Sequence, residues 1–214
     1  MARRVPRRPR ADMREVCAHD RGPAFGAQRG SRNMCAMELL VVRHAHAGTR
    51  DRWRGDDRLR PLSERGREEA LALVGLLLPY GPVRVLSSPL VRCVQTVEPL
   101  ARELGLKVED AEALGPQADR DAARLVRSLA KESDAVVICT HGETIEALQR
   151  RLARPGKHAF GPGGAHEKGS VWLLRASGGR FTSATYLPPV SRHGRYPASD
   201  RARGEDAAMD AAQV

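Results

Sequence analysis

The sequence predicts an α/β protein built on a largely parallel sheet, with helices on both faces and an antiparallel addition at one edge. Three observations carry that prediction. Short continuous apolar runs alternate with longer segments whose apolar residues recur at helical spacing. The runs lack the alternation of a half-exposed strand, which marks strands covered on both faces. Near the end of the chain, two strand-like segments flank Ser177-Gly178-Gly179, a composition suited to a hairpin turn.

The elements follow in order. Leu39, Leu40, Val41 and Val42 form the first buried strand. Ser63 is placed to cap a helix on which Ala70, Leu71, Val74, Leu77 and Leu78 recur, ending near Pro79 and Gly81. Residues 83–86 read as the second strand. Ser88 and Pro89 suit the N-cap and first helical position of a helix that carries Val91, Val94, Leu100 and Leu104 and stops at Gly105. A short extended piece at 107–109 precedes a helix over 121–131. Residues 135–139 form a third apolar strand, followed directly by a helix over 143–152. Residues 171–174 and 180–186 supply the hairpin.

At 214 residues and 41% hydrophobic, the chain is long enough for one sizeable core and short for two. The expected domain covers residues 37–187. Residues 1–36 hold nine Arg against three acids and show no apolar period, so burial there does not offset ordering entropy and a disordered tail is expected. Residues 188–214, rich in Pro, Ala, Asp and Arg, read as a second disordered tail. Met37, directly before the first strand, is a candidate translation start. About six of the ten net positive charges lie in the first tail, which supports weak, salt-sensitive contact with polyanions and not a specific nucleic-acid partner. Cys17, Cys35, Cys93 and Cys139 show no paired spacing, as expected of a reduced, cytoplasmic chain. No apolar stretch approaches the roughly 18 residues of a membrane span, and the Arg-rich start lacks the apolar block of a secretory signal. An Arg-rich start also fits a transit peptide, against which Asp12, Glu15 and Asp20 argue.

In open parallel sheets the ligand site lies beyond the carboxyl ends of the strands. Here the first strand ends in Arg43 and His44, the second in Ser87 and Ser88 with Arg92 one helical turn on, and the third in Thr140, His141 and Gly142. Helical side chains lean toward their N-terminus, which aims Arg92 at the same edge. Two Arg and two His converging there would repel one another if all were charged, and an anion between them resolves the repulsion. Phosphate fits, because guanidinium forks match its oxygens and the helix opening at Gly142 adds backbone N–H groups. Each residue taken alone has a plainer role: a loop histidine, a surface cation, a solvated helix arginine. Their joint placement at strand ends favours a site.

The segment Leu40-Val41-Val42-Arg43-His44-Ala45 resembles the RHG motif of the histidine phosphatase superfamily, with Ala45 where the glycine usually stands. Pro61-Leu62-Ser63-Glu64-Arg65-Gly66 is similar to the helix start that follows it in that family. Ser87 to Thr96, with Arg92, resembles the serine-to-arginine segment, and Val137 to Glu143 the second-histidine motif. Together they span about residues 38–150 in the family's order. The compact size resembles SixA-type phosphohistidine phosphatases. The segment from Arg52 to Leu62 looks closer still to the histidine phosphatase domain carried by some MutT-type Nudix hydrolases. The resemblance implies a phosphoglycerate mutase-like, three-layer α/β/α sandwich and His44 as nucleophile.

The implied mechanism is in-line attack by neutral His44, with Arg43, Arg92 and His141 holding the phosphoryl oxygens, Ser88 and Gly142 completing the binding site, and water hydrolysing the phosphohistidine. Neither a cofactor nor a metal is expected: no H-x-x-x-H or H-E-x-x-H pattern occurs, and the flanking Arg would repel a cation. His46 reads as a loop residue. Many superfamily members carry a carboxylate proton donor two positions after a leucine, and Leu114-Gly115-Pro116 places proline there. Glu112 is the first substitute, with Asp119 and Glu143 behind it; Glu143 has the plainer role of an acid at a helix start. A missing acid matters least for good leaving groups, favouring phosphoramidates and phosphoanhydrides over sugar phosphates. The first functional expectation is therefore a SixA-like phosphatase of phosphorylated protein, consistent with an aromatic content of 4% that leaves few residues for stacking bases. The alternative is a phosphatase of nucleotides or other small phosphorylated metabolites, with Trp53, Arg52, Arg54 and Arg58 as a base-stacking, phosphate-binding lid. A further alternative is a non-catalytic phosphate-binding module. A mutase is disfavoured because no long insert is available to shield a phosphoenzyme from water.

Overall fold

The computed structural model of the protein describes residues 37–152 and 166–190. The predicted tail over 1–36 and nearly all of that over 188–214 lie outside the described residues, as do Cys17 and Cys35. Six strands form one mixed sheet: β1 (Met37–Arg43), β2 (Arg84–Ser87), β3 (Val108–Asp110), β4 (Val136–Thr140), β5 (Val171–Ser177) and β6 (Arg180–Leu187), in the order β3-β2-β4-β1-β5-β6. The first four of these in spatial order run parallel, β5 adds antiparallel to β1, and β6 adds antiparallel to β5. This is the predicted α/β architecture, with the antiparallel addition at one edge. The hairpin turns through Gly178 and Gly179, both at positive φ, where a side chain would be strained.

Four helices cover the two faces. On one side, α1 (Glu64–Leu77) and α2 (Val91–Glu103) bury Leu73, Leu77, Val97 and Leu100 against Leu40, Val42, Val85 and Val137 of the sheet. On the other, α3 (Asp119–Leu129) and α4 (Gly142–Leu152) bury Val126, Leu129, Ile145 and Leu148 against Leu39, Val41, Val136 and Ile138. Consecutive residues of β1 thus serve opposite cores, which is why its apolar run is continuous. Each fully buried leucine contributes about 1.5–3 kcal/mol through removal of its surface from water. Among the described residues, no helix is long and apolar enough to cross a membrane.

Two helices differ from their sequence-based outlines. The buried stripe of α1 is Gly66, Ala70, Leu73 and Leu77, whereas Leu71 is 65% exposed and Leu78 lies outside the core. Leu71 is one residue, about 100°, past Ala70, so it cannot share that stripe. Helix α2 opens at Val91 with Leu90 at the N-cap, without a side-chain cap, instead of at Ser88 and Pro89. Ser88 stays extended because its N–H continues the strand pairing to the Cys139 carbonyl at 2.9 Å. Its hydroxyl is engaged by His141, as described below.

The chain order sets where a site can form. β1 and β4 are neighbours, yet the chain leaves β1 toward α1 on one face and leaves β4 into α4 on the other. The sheet therefore carries a topological switch point at their carboxyl ends, where a crevice opens. The start of α1 closes tightly over the loop leaving β1. A Cβ at Gly66 would lie 1.9 Å from the His46 carbonyl oxygen, backbone that cannot yield without moving the loop. Gly66→Ala is accordingly expected to lower the unfolding free energy by about 1–3 kcal/mol, through overpacking, in urea titration. An unchanged midpoint would show that the loop moves aside freely.

Candidate active site

Arg43 and Thr140 are register partners at the ends of β1 and β4, so His44 and His141 are the next residues on adjacent strands. Their rings meet edge to face, with centroids 5.4 Å apart and planes inclined by 65°. Both are buried, at 6% and 1% exposure. The His44 N–H bonds the Thr140 carbonyl at 3.0 Å, continuing the ladder one residue beyond the strand. Its Nδ1 lies 2.8 Å from the Ala45 carbonyl oxygen, a contact that requires the Nδ1–H tautomer and leaves the Nε2 lone pair free. Burial pushes the His44 pKa down to about 3; the Ala45 hydrogen bond opposes this, and the fields of His141, Arg92 and Arg43 reinforce it. The imidazole is thus neutral, with an unprotonated nitrogen available at ordinary pH.

Both arginines lie near enough to His44 for their charges to contribute to its lowered pKa. Arg43 donates through Nη1 to the His166 carbonyl and packs so closely on Gly142 that a Cβ there would lie 3.0 Å from its Cζ. Burial lowers the pKa of Arg43, with Glu143 and Glu146 opposing. Arg92, in the first turn of α2, donates to the Asp57 carbonyl at 2.7 Å and pairs with the Asp57 carboxylate at 3.1 Å. In both arginines the Nε–H is buried and has no hydrogen-bond partner. Buried unsatisfied donors of a charged group are costly.

Ser88 and Gly142 take distinct positions. The Ser88 hydroxyl lies 3.0 Å from His141 Nε2, fixing that ring, while Cys93 Sγ approaches the same nitrogen at 3.5 Å. Gly142 opens α4 against Arg43. Glu112 stands apart from this buried group. Its side chain is 77% exposed at the start of a 3-10 turn (Glu112–Leu114) and pairs with Arg58 at 3.5 Å. Glu143 and Asp119 occupy first turns of α4 and α3, where an acid favours the helix dipole.

The loop between β1 and α1 is tied down at several points. The Ser63 hydroxyl donates to the His46 carbonyl at 3.0 Å and accepts from Gly66 N–H at 3.1 Å, so it is the predicted cap of α1. His46 Nδ1 lies 2.7 Å from that same hydroxyl, and its N–H donates to Glu69 at 2.8 Å. The Ala45 N–H donates to Thr96 Oγ1 at 3.0 Å, linking the loop to α2. Ala45 itself, the departure from the glycine motif, is buried with Ala47, Leu62 and Ala70. Its methyl group is part of a small core.

Sequence reasoning missed Asp57, Arg60 and Lys168. Asp57 bridges Arg92 and Arg60, accepting from Arg60 Nε at 2.8 Å, and these cations hold its carboxyl below the usual range although burial acts to raise it. Arg60 reaches back to the Ala47 carbonyl at 2.7 Å. Lys168 approaches the Gly48 carbonyl at 3.5 Å, and burial with the fields of Arg43 and Arg60 lowers its pKa. The only signal for Asp57 and Arg60 was density of charge in the segment 52–62, which does not tell which acid meets which base, and nothing in the sequence marked Lys168. Among the described residues, no three His, Cys, Asp or Glu side chains stand close enough to hold a metal ion.

Comparison with known proteins follows the same lines. Residues 39–118 match the model of the histidine phosphatase superfamily, branch 1. An 8-oxo-(d)GTP phosphatase of Mycolicibacterium smegmatis is 40% identical over 160 residues, 71% of this chain, which spans about half (48%) of that protein's length. Among solved structures, Bacillus stearothermophilus YhfR superposes with a TM-score of 0.60 at 20% identity, covering 73% of this chain and 99% of that one. The protein histidine phosphatase SixA in complex with tungstate gives 0.57 at 22% identity, covering 73% and 97%. These likenesses establish the phosphoglycerate mutase-like α/β fold. The sequence motifs, the family match over residues 39–118 and the fold agree on the histidine phosphatase superfamily.

Proposed function

We propose that this protein is a metal-independent phosphatase that passes a phosphoryl group through His44, and that its substrate is a phosphoanhydride, the terminal phosphate of a nucleotide. One observation supports the catalytic part above the others: His44 is a buried, neutral imidazole with an unprotonated Nε2, close enough to His141, Arg92 and Arg43 for their charges to add to the lowering of its pKa by burial. In the first step the Nε2 lone pair attacks phosphorus in line, the N–P bond forms as the P–O bond to the leaving group breaks, and Arg43, Arg92 and His141 carry the charge on the non-bridging oxygens. In the second step water attacks the phosphohistidine, the N–P bond breaks, and inorganic phosphate leaves with His44 restored. These three groups, Arg43, Arg92 and His141, supply the electrostatic stabilisation that phosphoryl transfer requires. Ser88 orients His141, and Gly142 admits Arg43 to the site.

The substrate part rests on the leaving group. Pro116 occupies the position of the usual acid, and Glu112 is solvated and paired with Arg58, so a leaving group that needs little protonation is favoured. Both a phosphoramidate, as in phosphohistidine of a protein, and a phosphoanhydride meet that condition. The 40% identity to an 8-oxo-(d)GTP phosphatase supports the anhydride of a nucleotide.

His44→Ala is expected to reduce hydrolysis of nucleoside diphosphates at least about 10³-fold with unchanged circular dichroism, since removal of a nucleophile that acts as a unit with its partners leaves only residual catalysis. Acid-labile ³²P retained on the wild type after quenching, and absent from the variant, identifies the phosphohistidine; appreciable turnover by the variant would exclude it. Prior treatment with EDTA is expected to leave the rate unchanged, and restoration of a lost rate by added divalent metal would refute metal independence. In the ligand-free protein, the His44 ring protons are expected to show no titration between pH 8 and 5, and a midpoint near 6.5 would show a solvated ring. The sign for stability follows: the folded pKa is depressed, so the contribution of this group is full above 6.5 and is lost as pH falls toward about 3.

A further inference from the structure

We propose that the cavity beside the loop leaving the nucleophile is a nucleobase subsite, in which the exposed face of Trp53 stacks on the base of a nucleotide whose terminal phosphate lies at His44. The inference rests on the nucleotide reading above and names the residues that would recognise the nucleoside. The cavity encloses about 390 Å³ and is walled by His46, Ala47, Thr49, Arg52, Trp53 and Arg60 among others. That volume lies in the range of small-molecule pockets. Its wall begins two residues after the nucleophile. It also connects to the anion site by a continuous polar chain, from Ala47 through Arg60 and Asp57 to Arg92, with links of 2.7, 2.8 and 3.1 Å.

Trp53 is unusual for its residue type. Trp172 is 3% exposed and packs in the core against Tyr186, whereas Trp53 is 38% exposed and belongs to none of the core clusters. It is nevertheless held. Its indole N–H donates to the Asp56 carbonyl at 2.9 Å, and a Cβ on Gly55 would lie 3.3 Å from three ring atoms, so the backbone of Gly55 backs the ring. A large flat side chain, fixed in orientation and left partly open to a cavity, is a pre-organised stacking platform. The charge of the cavity agrees: Arg52 and Arg60 stand in its wall, and no carboxylate does. A neutral base with a phosphate chain complements such a wall, with the base on Trp53 and the phosphates beside Arg52 and Arg60. The same loop carries Asp57, so a ligand stacked on Trp53 bears on the segment that positions Arg92.

The test uses the full chain with guanosine diphosphate and inorganic pyrophosphate as probes, two anhydrides that differ in having a base. Trp53→Ala is expected to raise KM for the nucleotide at least about fivefold more than KM for pyrophosphate, as loss of one stacked base implies, and Trp53→Phe to restore most of the difference. Equal changes in both KM values, or none, would overturn the subsite. A second readout does not depend on turnover. In a His44→Ala background, the Trp53 contribution to fluorescence, obtained by difference from the same background with Trp53→Phe, is expected to be quenched saturably by guanosine diphosphate and not by pyrophosphate. Quenching by both alike would overturn the proposal. Nucleotide turnover through His44 with no Trp53 response would remove the subsite and leave the phosphatase intact. Nucleotide quenching without phosphorylation of His44 would support the subsite and remove the proposed reaction.

Discussion

The burial of cationic groups around one small volume is the constraint on which the rest of the structure depends. Arg43 and Arg92 carry full charge into a region where His44 and His141 are almost wholly screened from water. Such burial is unfavourable unless each charge is matched. The protein matches it in part, through Asp57 for Arg92 and through the His166 carbonyl for Arg43, and leaves one donor of each guanidinium unsatisfied. Burial, reinforced by the fields of His141, Arg92 and Arg43, keeps His44 neutral, the form that the proposed attack on phosphorus requires.

That arrangement is sustained by the loop between β1 and α1 more than by the strands themselves. Strand pairing brings His44 and His141 side by side, but the orientation of His44 depends on the Ala45 carbonyl, and Ala45 is held by Thr96 from α2. Ser63 and Gly66 then anchor His46, so the first turn of α1 and the loop form one rigid unit. Replacement of the usual motif glycine by Ala45 is accommodated because its methyl enters a pocket formed by Ala47, Leu62 and Ala70. A departure that looks like a defect in the motif is thus a packing interaction.

The exposed position of Glu112 bears on chemistry in a different way. Its carboxylate is solvated and pairs with Arg58, the residue that follows Asp57. Asp57 lies nearer the arginines, yet the cations around it keep its carboxyl ionised, so it serves to orient guanidinium groups.

The sequence alone determined the α/β class, the antiparallel edge, the capping of α1 by Ser63 and the placement of Arg43, His44, Arg92 and His141 at one edge of the sheet. It could do so because each depends on local pattern: apolar continuity in strands buried on both faces, helical period, and the rule that parallel strands end on the same side. The buried face of α1, the true start of α2, the engagement of Ser88 with His141 and the bridging of Arg92 and Arg60 by Asp57 were decided by tertiary structure. These rest on contacts between residues far apart in the chain, and a segment rich in alternating charge does not disclose which acid will meet which base until the fold has brought them within hydrogen-bonding distance.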